Sequence, residues 1–167
     1  MSSSTLRLCW VKALLVSLAL APVLPMPVAA GVEETVLAGI NAARAKAGCA
    51  PLRINAKLMA AAKSHARAMA EQNFFGHTGK DGSRFSNRIK RQGYSYRAAA
   101  ENIAAGQKSA SQVVGNWLGS SGHRRNILNC RLKETGIAVV YQPDDAPIRG
   151  QRQPLRYYWV QVFAAPR

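Results

Sequence analysis

GIAVVY at Gly136–Tyr141 and YYWVQVF at Tyr157–Phe163 are the runs whose reading decides the fold. Both are rich in β-branched and aromatic residues, the types that suit a pleated and largely buried surface. They predict a strand pair. The segment between them, Gln142 to Arg156, is polar and contains prolines. It reads as a long hairpin loop, exposed and mobile.

Upstream, the period changes from two to that of a helix. Val36, Leu37, Ile40 and Ala43/Ala47 form a stripe within Glu33–Gly48, with Glu33 and Glu34 in the favourable first turn and Gly48 as a stop. Pro51-Leu52 starts a short extended link. Asn55 then caps a helix running to about Asn73, whose inner face is Leu58, Ala61/Ala62, His65 and Met69. Phe74 to Ser83 contains Gly76, Gly79 and Asp81-Gly82, so a loop is expected. Ser83 is placed to cap a short helix ending near Gln92-Gly93. Glu101 to Ala104 reads as a short extended segment, and Ser109 to Leu118 as a fourth helix ended by Ser120-Ser121-Gly122. Helices first and paired strands last predict an α+β domain rather than a βαβ one. There is no internal repeat and no low-complexity tract.

Residues 1–30 read as a cleavable export signal. Arg7 and Lys12 precede the uncharged run Ala13 to about Val23, and Val28-Ala29-Ala30 supplies small residues for cleavage after Ala30. A membrane anchor needs about 20 apolar residues. Pro22, Pro25 and Pro27 interrupt the run before that length. Cys9 precedes the apolar run, so it is not placed as a lipid anchor. Residues 31–167 then form one domain, and the expected location is secreted or periplasmic.

That domain keeps 21 of the 23 Lys and Arg against 8 Asp and Glu, a net charge of +13. Such a surface attracts anionic polymers or membrane surfaces, or it simply keeps an exported protein soluble. The basic residues are spread along the chain and form no run. Cys49 and Cys130 are the surviving pair, and an oxidising compartment favours a disulfide over free thiols or a catalytic Cys. Closing so long a loop contributes about 4 kcal/mol on the chain-entropy view.

The candidates for chemistry are few. His65 lies in an apolar helical stripe and reads as a satisfied core residue. His77 follows Phe74-Phe75-Gly76, and His123 lies in Ser121-Gly122-His123-Arg124-Arg125-Asn126. Both are expected in loops that line a cleft. Glu101, in Ala100-Glu101-Asn102-Ile103-Ala104, is an acid among apolar residues, and such a carboxylate needs a partner. Two imidazoles or a metal are the expected partners. Tyr94 and Tyr96 beside Gly93 are candidates for a groove wall, and Arg124 for an anionic head group. Phe74, Phe75, Trp117, Trp159 and Phe163 read as core.

The motifs taken in order resemble the CAP superfamily (cysteine-rich secretory proteins, antigen 5 and pathogenesis-related 1; SCP-like), in its compact bacterial branch. The resemblance begins with Asn41-Ala42-Ala43-Arg44, Pro51-Leu52 and Asn55-x-x-Leu58. It continues through Ala61-Ala62-x-x-His65-Ala66-x-x-Met69-Ala70, Phe74-Phe75-Gly76-His77-Thr78, Asp81-Gly82, Gly93-Tyr94 and Ala100-Glu101-Asn102-Ile103-Ala104. It closes with Trp117-x-x-Ser120-x-Gly122-His123-Arg124-x-Asn126-Ile127-Leu128 and Gly136-Ile137-Ala138. The resemblance implies an α-β-α sandwich with a short antiparallel sheet between helices. It also implies a cleft floored by two histidines and two acids. Carried over, these are His77, Glu101 and His123; the fourth position offers Ser120, as in bacterial relatives, where animal and plant members have Glu.

Two imidazoles and a carboxylate suit a divalent metal such as zinc, with His77 and His123 as ligands and Glu101 as third ligand or base. The alternative is a hydrogen-bonded cluster that only holds the loops. A serine hydrolase built on Ser120 or Ser121 is disfavoured, because side chains two or three apart in a loop have no fixed geometry. The leading expectation is an exported, monomeric binder of a small hydrophobic, amphipathic or anionic ligand in a cleft of His77, Glu101, His123, Ser120, Tyr94 and Arg124, with no required cofactor. A metal-assisted hydrolase and a basic cell-envelope adhesion module are the alternatives. Nothing resembles a nucleic-acid motif.

Overall fold

The computed structural model describes residues 31–167; the expected signal segment and its cleavage site lie outside them. The elements, in order, are α1 (Val32–Lys46), β1 (Arg53–Ile54), α2 (Ala56–Glu71), α3 (Phe85–Arg91), β2 (Tyr96–Ala105), α4 (Ala110–Gly119), α5 (Ser121–Ile127), β3 (Glu134–Tyr141) and β4 (Tyr157–Pro166). The strands form one sheet in the order β1-β3-β4-β2.

The alternation in β4 sets the layers. Tyr158, Val160, Val162 and Ala164 enter a core with Leu58, Ala62, Met69 and Ile89 from α2 and α3. Trp159 and Phe163 face the other way, onto Val36, Ile40, Val113, Trp117 and Ile127 from α1, α4 and α5. A period of two therefore serves both faces of a sheet covered by helices on each side. The α+β class and the α-β-α sandwich are as expected.

α2 packs hard against β3 at Gly136. A Cβ there would lie 2.0 Å from the carbonyl carbon of Leu58, so only glycine allows the approach. Asn55 caps α2 as expected, its side chain accepting from the backbone of Lys57 and Leu58. Cys49 and Cys130 are joined by a disulfide across 81 residues of sequence.

Several local expectations are corrected. The extended segment at Glu101–Ala104 is the inner part of a ten-residue strand, because β2 pairs with β4 from Tyr96↔Pro166 to Ala105↔Tyr158. Its alanines carry little strand propensity; long-range pairing decides the matter. The link after Pro51-Leu52 contains β1, which runs parallel to β3, so the sheet is mixed. Ser83 does not cap α3: Arg84 holds that position, and its N–H donates to Asn87 Oδ1 at 3.0 Å. Ser120-Ser121-Gly122 does not lead into a loop. Ser120 adopts an extended conformation between two helices, and α5 begins at once. The 142–156 loop is tied at its base: Asp145 is buried, and its Oδ2 accepts from Tyr158 Oη and Arg156 N.

Candidate functional site

Glu101 is on the inner half of β2, and its side chain is 1% exposed. A buried carboxylate is costly unless both oxygens are satisfied. Here they are, by two different elements. Arg88 Nη2 on α3 donates to Oε2 at 2.8 Å. His77 Nδ1 meets Oε1 at 2.8 Å. Because a carboxylate accepts, the neutral imidazole carries its proton on Nδ1 and leaves Nε2 with a free lone pair. The His77 side chain is 54% exposed, so that face is open to solvent.

The loop that carries His77 is held from both sides. His65 is a satisfied core residue, as expected: it is buried on α2, and its Nε2–H donates to the carbonyl of Gly76 at 2.8 Å. Burial lowers the His65 pKa; Arg88 and His77 push the same way, whereas Glu101 and the Gly76 bond oppose. Arg88 also donates to the carbonyls of His77 and Ser83. One guanidinium therefore sets the loop, the helix start and the carboxylate together.

His123 reaches the site on α5, not from a loop. Asn102 donates to the His123 carbonyl at 3.2 Å, and Asn126 donates to Asn102 Oδ1 at 2.9 Å and to the Glu101 carbonyl at 3.3 Å. These amides fasten α5 to the edge strand. His123 Nδ1 is buried with no hydrogen-bond partner among the described residues. Burial lowers the His123 pKa, and nearby His77 lowers it further.

An open hollow of about 500 Å³ lies against this cluster, lined by His77, Thr78, Arg84, Phe85, Ala99, Ala100, Glu101 and Asn126. It has an apolar patch at Phe85, Ala99 and Ala100, and an exposed cation in Arg84.

Other expected site residues lie elsewhere. Tyr94 is buried, donates to Glu134 Oε2 at 2.6 Å, and lines a separate hollow with Lys90, Tyr96 and Arg167. Arg124 borders a hollow with Gly39, Ala42, Lys46, Leu118 and Leu128. Ser120 joins α4 to α5 and makes no side-chain capping bond, and neither it nor His123 lines the His77 hollow. Sequence reasoning missed Arg88, Asn126 and Arg84. The signal was indirect: Glu101 had to have a partner, but nothing among the basic residues of Arg84–Arg91 singles out Arg88.

The donor set for a metal is narrower than a His-Glu-His triad, since both Glu101 oxygens are engaged. Among the described residues no group of three or more His, Cys, Asp and Glu is placed to hold an ion. What fits is a pair. His77 would offer Nε2, with Glu101 behind it as the orienting carboxylate often found behind metal-bound histidines, and His123 has its unpartnered ring nitrogen.

The chain has clear relatives. The profile of the cysteine-rich secretory protein family, CAP, matches residues 37–163. The Bacillus subtilis protein YkwD is 40% identical over 109 residues, 65% of this chain and 42% of that protein. The chain thus spans about two fifths of that relative. An outer surface protein from Borrelia burgdorferi has a similar structure, with a TM-score of 0.70 at 22% identity, covering 83% of this chain and 97% of that one. An extracellular protein containing an SCP domain from Bacillus anthracis gives 0.66 at 22% identity, over 79% and 39%. These structural likenesses bear on the fold. Among the described residues no helix is long and apolar enough to cross a membrane.

Proposed function

The chain belongs to the CAP family of cysteine-rich secretory proteins, and on that footing we propose that it is an exported domain that binds a small amphiphile with an anionic head in the hollow beside His77. The observation that carries this reading is the saturation of Glu101 by Arg88 and His77. It leaves no unpartnered carboxylate in the lining to repel an anion. Arg84 and Thr78 offer donors at the mouth, and Phe85, Ala99 and Ala100 offer a floor for an alkyl chain. Export is supported by the signal-like first thirty residues and by the disulfide.

Calorimetric titration with palmitate and with a lysophosphatidylglycerol tests the reading. Arg84→Glu is expected to weaken binding about tenfold or more, the scale of one charge-assisted hydrogen bond. Phe85→Asp should weaken it as well. Absence of binding by the unaltered protein, or binding indifferent to both changes, overturns the reading.

A second reading rests on the unpartnered Nδ1 of His123 beside the oriented ring of His77. These two side chains would hold a divalent ion such as zinc, with Glu101 fixing the His77 tautomer. When bound, such an ion supplies Lewis acidity that lowers the pKa of a coordinated water, the chemistry of a hydrolase. Zinc titration of the purified protein is expected to show a site lost in both His77→Ala and His123→Ala. Equal zinc binding by these variants excludes it.

A further inference from the structure

The folded chain gathers cations that its sequence scatters. At the end of the sheet where β2 begins and β4 finishes, Tyr96 pairs with Pro166. Arg97, Arg131 and Lys133 line a hollow of about 550 Å³ with Ala98, Ala165 and Cys130. Lys90 and Arg167 line a second hollow of about 380 Å³ with Tyr94, Ser95 and Tyr96. The two hollows lie on opposite faces of the same strand ends, since Tyr94 and Tyr96 pack with the α2 and α3 core and Ala98 with the α1, α4 and α5 core. Arg97 Nε, donating to the carbonyl of Pro166, the residue before Arg167, stands between them.

Five cations from α3, β2, the approach to β3 and the end of β4 therefore share one end of the molecule. All five are exposed. None forms an ion pair with a described residue. No Asp or Glu lines either hollow. Glu134, bonded to Tyr94 of the second hollow, is already engaged by that hydroxyl, by Asn55 and by Arg53.

We propose that this sheet end is a binding site for a linear polyanion with repeating phosphate groups, lying across both hollows. Cations gathered at one sheet end without acid partners repel one another, and an anion array running round that end relieves the repulsion. Arginine forks suit phosphate oxygens bidentately. A single small anion would meet only one hollow, whereas a chain meets both. A membrane surface fits less well: the exposed large apolar residues are Val32, Ile54, Phe75 and Tyr141, and none lines either hollow. The site shares no residue with the His77 hollow.

The test is binding of the purified protein to long-chain inorganic polyphosphate across a salt series, with single orthophosphate and phosphatidylglycerol vesicles as separate arms. The triple variant Arg97→Ala/Arg131→Ala/Lys133→Ala is compared with Lys63→Ala/Lys108→Ala/Arg125→Ala, which removes the same charge elsewhere. Circular dichroism melting checks that both remain folded. The first triple is expected to weaken polyphosphate binding at least tenfold and to flatten the slope of log K against log salt by about 2, since each neutralised phosphate contributes about 0.7. The second should bind nearly as the parent does. Equal loss in both triples overturns the proposal by showing that net charge alone acts. So does orthophosphate binding as tightly as polyphosphate, or vesicle binding that depends on the three residues when polyphosphate binding does not.

Discussion

Two buried arginines, on opposite sides of the sheet, solve the same problem differently. Arg44 on α1 is fully buried and has no acid partner among the described residues. It donates instead to the carbonyls of Ala50, Ile127, Asn129 and Leu132. It thereby ties the end of α1 to the end of α5 and to the segment that carries Cys130. Arg88 on α3 meets the carboxylate of Glu101 and uses its other donors on the loop of His77. Carbonyls are fixed dipoles, so a cation among them is a staple. A carboxylate has a second oxygen, so a cation against it can hold a further group at a cavity. The difference teaches where to look: the buried charge that shares its partner with a half-exposed imidazole is the one beside the candidate site.

The contrast can be broken by substitution, and the largest effect is expected at the staple. Arg44→Met leaves four carbonyls without their donor and should cost about 4 kcal/mol in urea unfolding, as each stranded buried acceptor costs about 1–3. A loss below about 1 kcal/mol would mean that water takes over the staple. Arg88→Met should cost about 3 kcal/mol by leaving the buried Oε2 of Glu101 without its charged donor. Adding Glu101→Gln should recover most of that loss, which the double-mutant cycle measures directly. The same Glu101→Gln should not rescue Arg44→Met.

A smaller effect sharpens the chemistry of the His77 side. The His65 pKa lies below its ordinary value of 6.5, mainly through burial. The unfolded chain therefore binds the proton more readily, and stability falls as pH drops below about 6.5 toward the folded-state value. Unfolding measured from about pH 7 to about pH 5 should show a steeper decline for the parent than for His65→Gln. Parallel curves would remove His65 as an acid-sensitive latch. The smallest change is expected for His77→Ala, under about 1 kcal/mol, because removing the half-exposed ring lets water reach Glu101 Oε1 in its place. A loss comparable with that of Arg88→Met would make His77 part of the frame and not of the binding face.

Much of the fold was legible because periodicity is local. The stripe Leu58, Ala61/Ala62, His65 and Met69, and the alternation of Tyr157 to Phe163, can be read without knowing any partner. The candidate cluster was legible in part. His77 and Glu101 meet as expected and His123 lies nearby, but Tyr94 and Arg124 line hollows of their own. Side chains near each other in sequence part company when one helix turn or one strand step reverses their facing.

By itself the sequence determined helices α1 to α4 and the β3–β4 strand pair, that the domain is α+β, and that Glu101 among apolar residues had to be paired. Only the tertiary structure decided that Arg88 pairs it, that β2 runs ten residues against β4, and that scattered basic residues converge at one end of the sheet. The physical reason is range. Backbone propensity and hydrophobic period act within a turn or two of chain. Charge partners are chosen by register and packing between segments that the sequence keeps far apart.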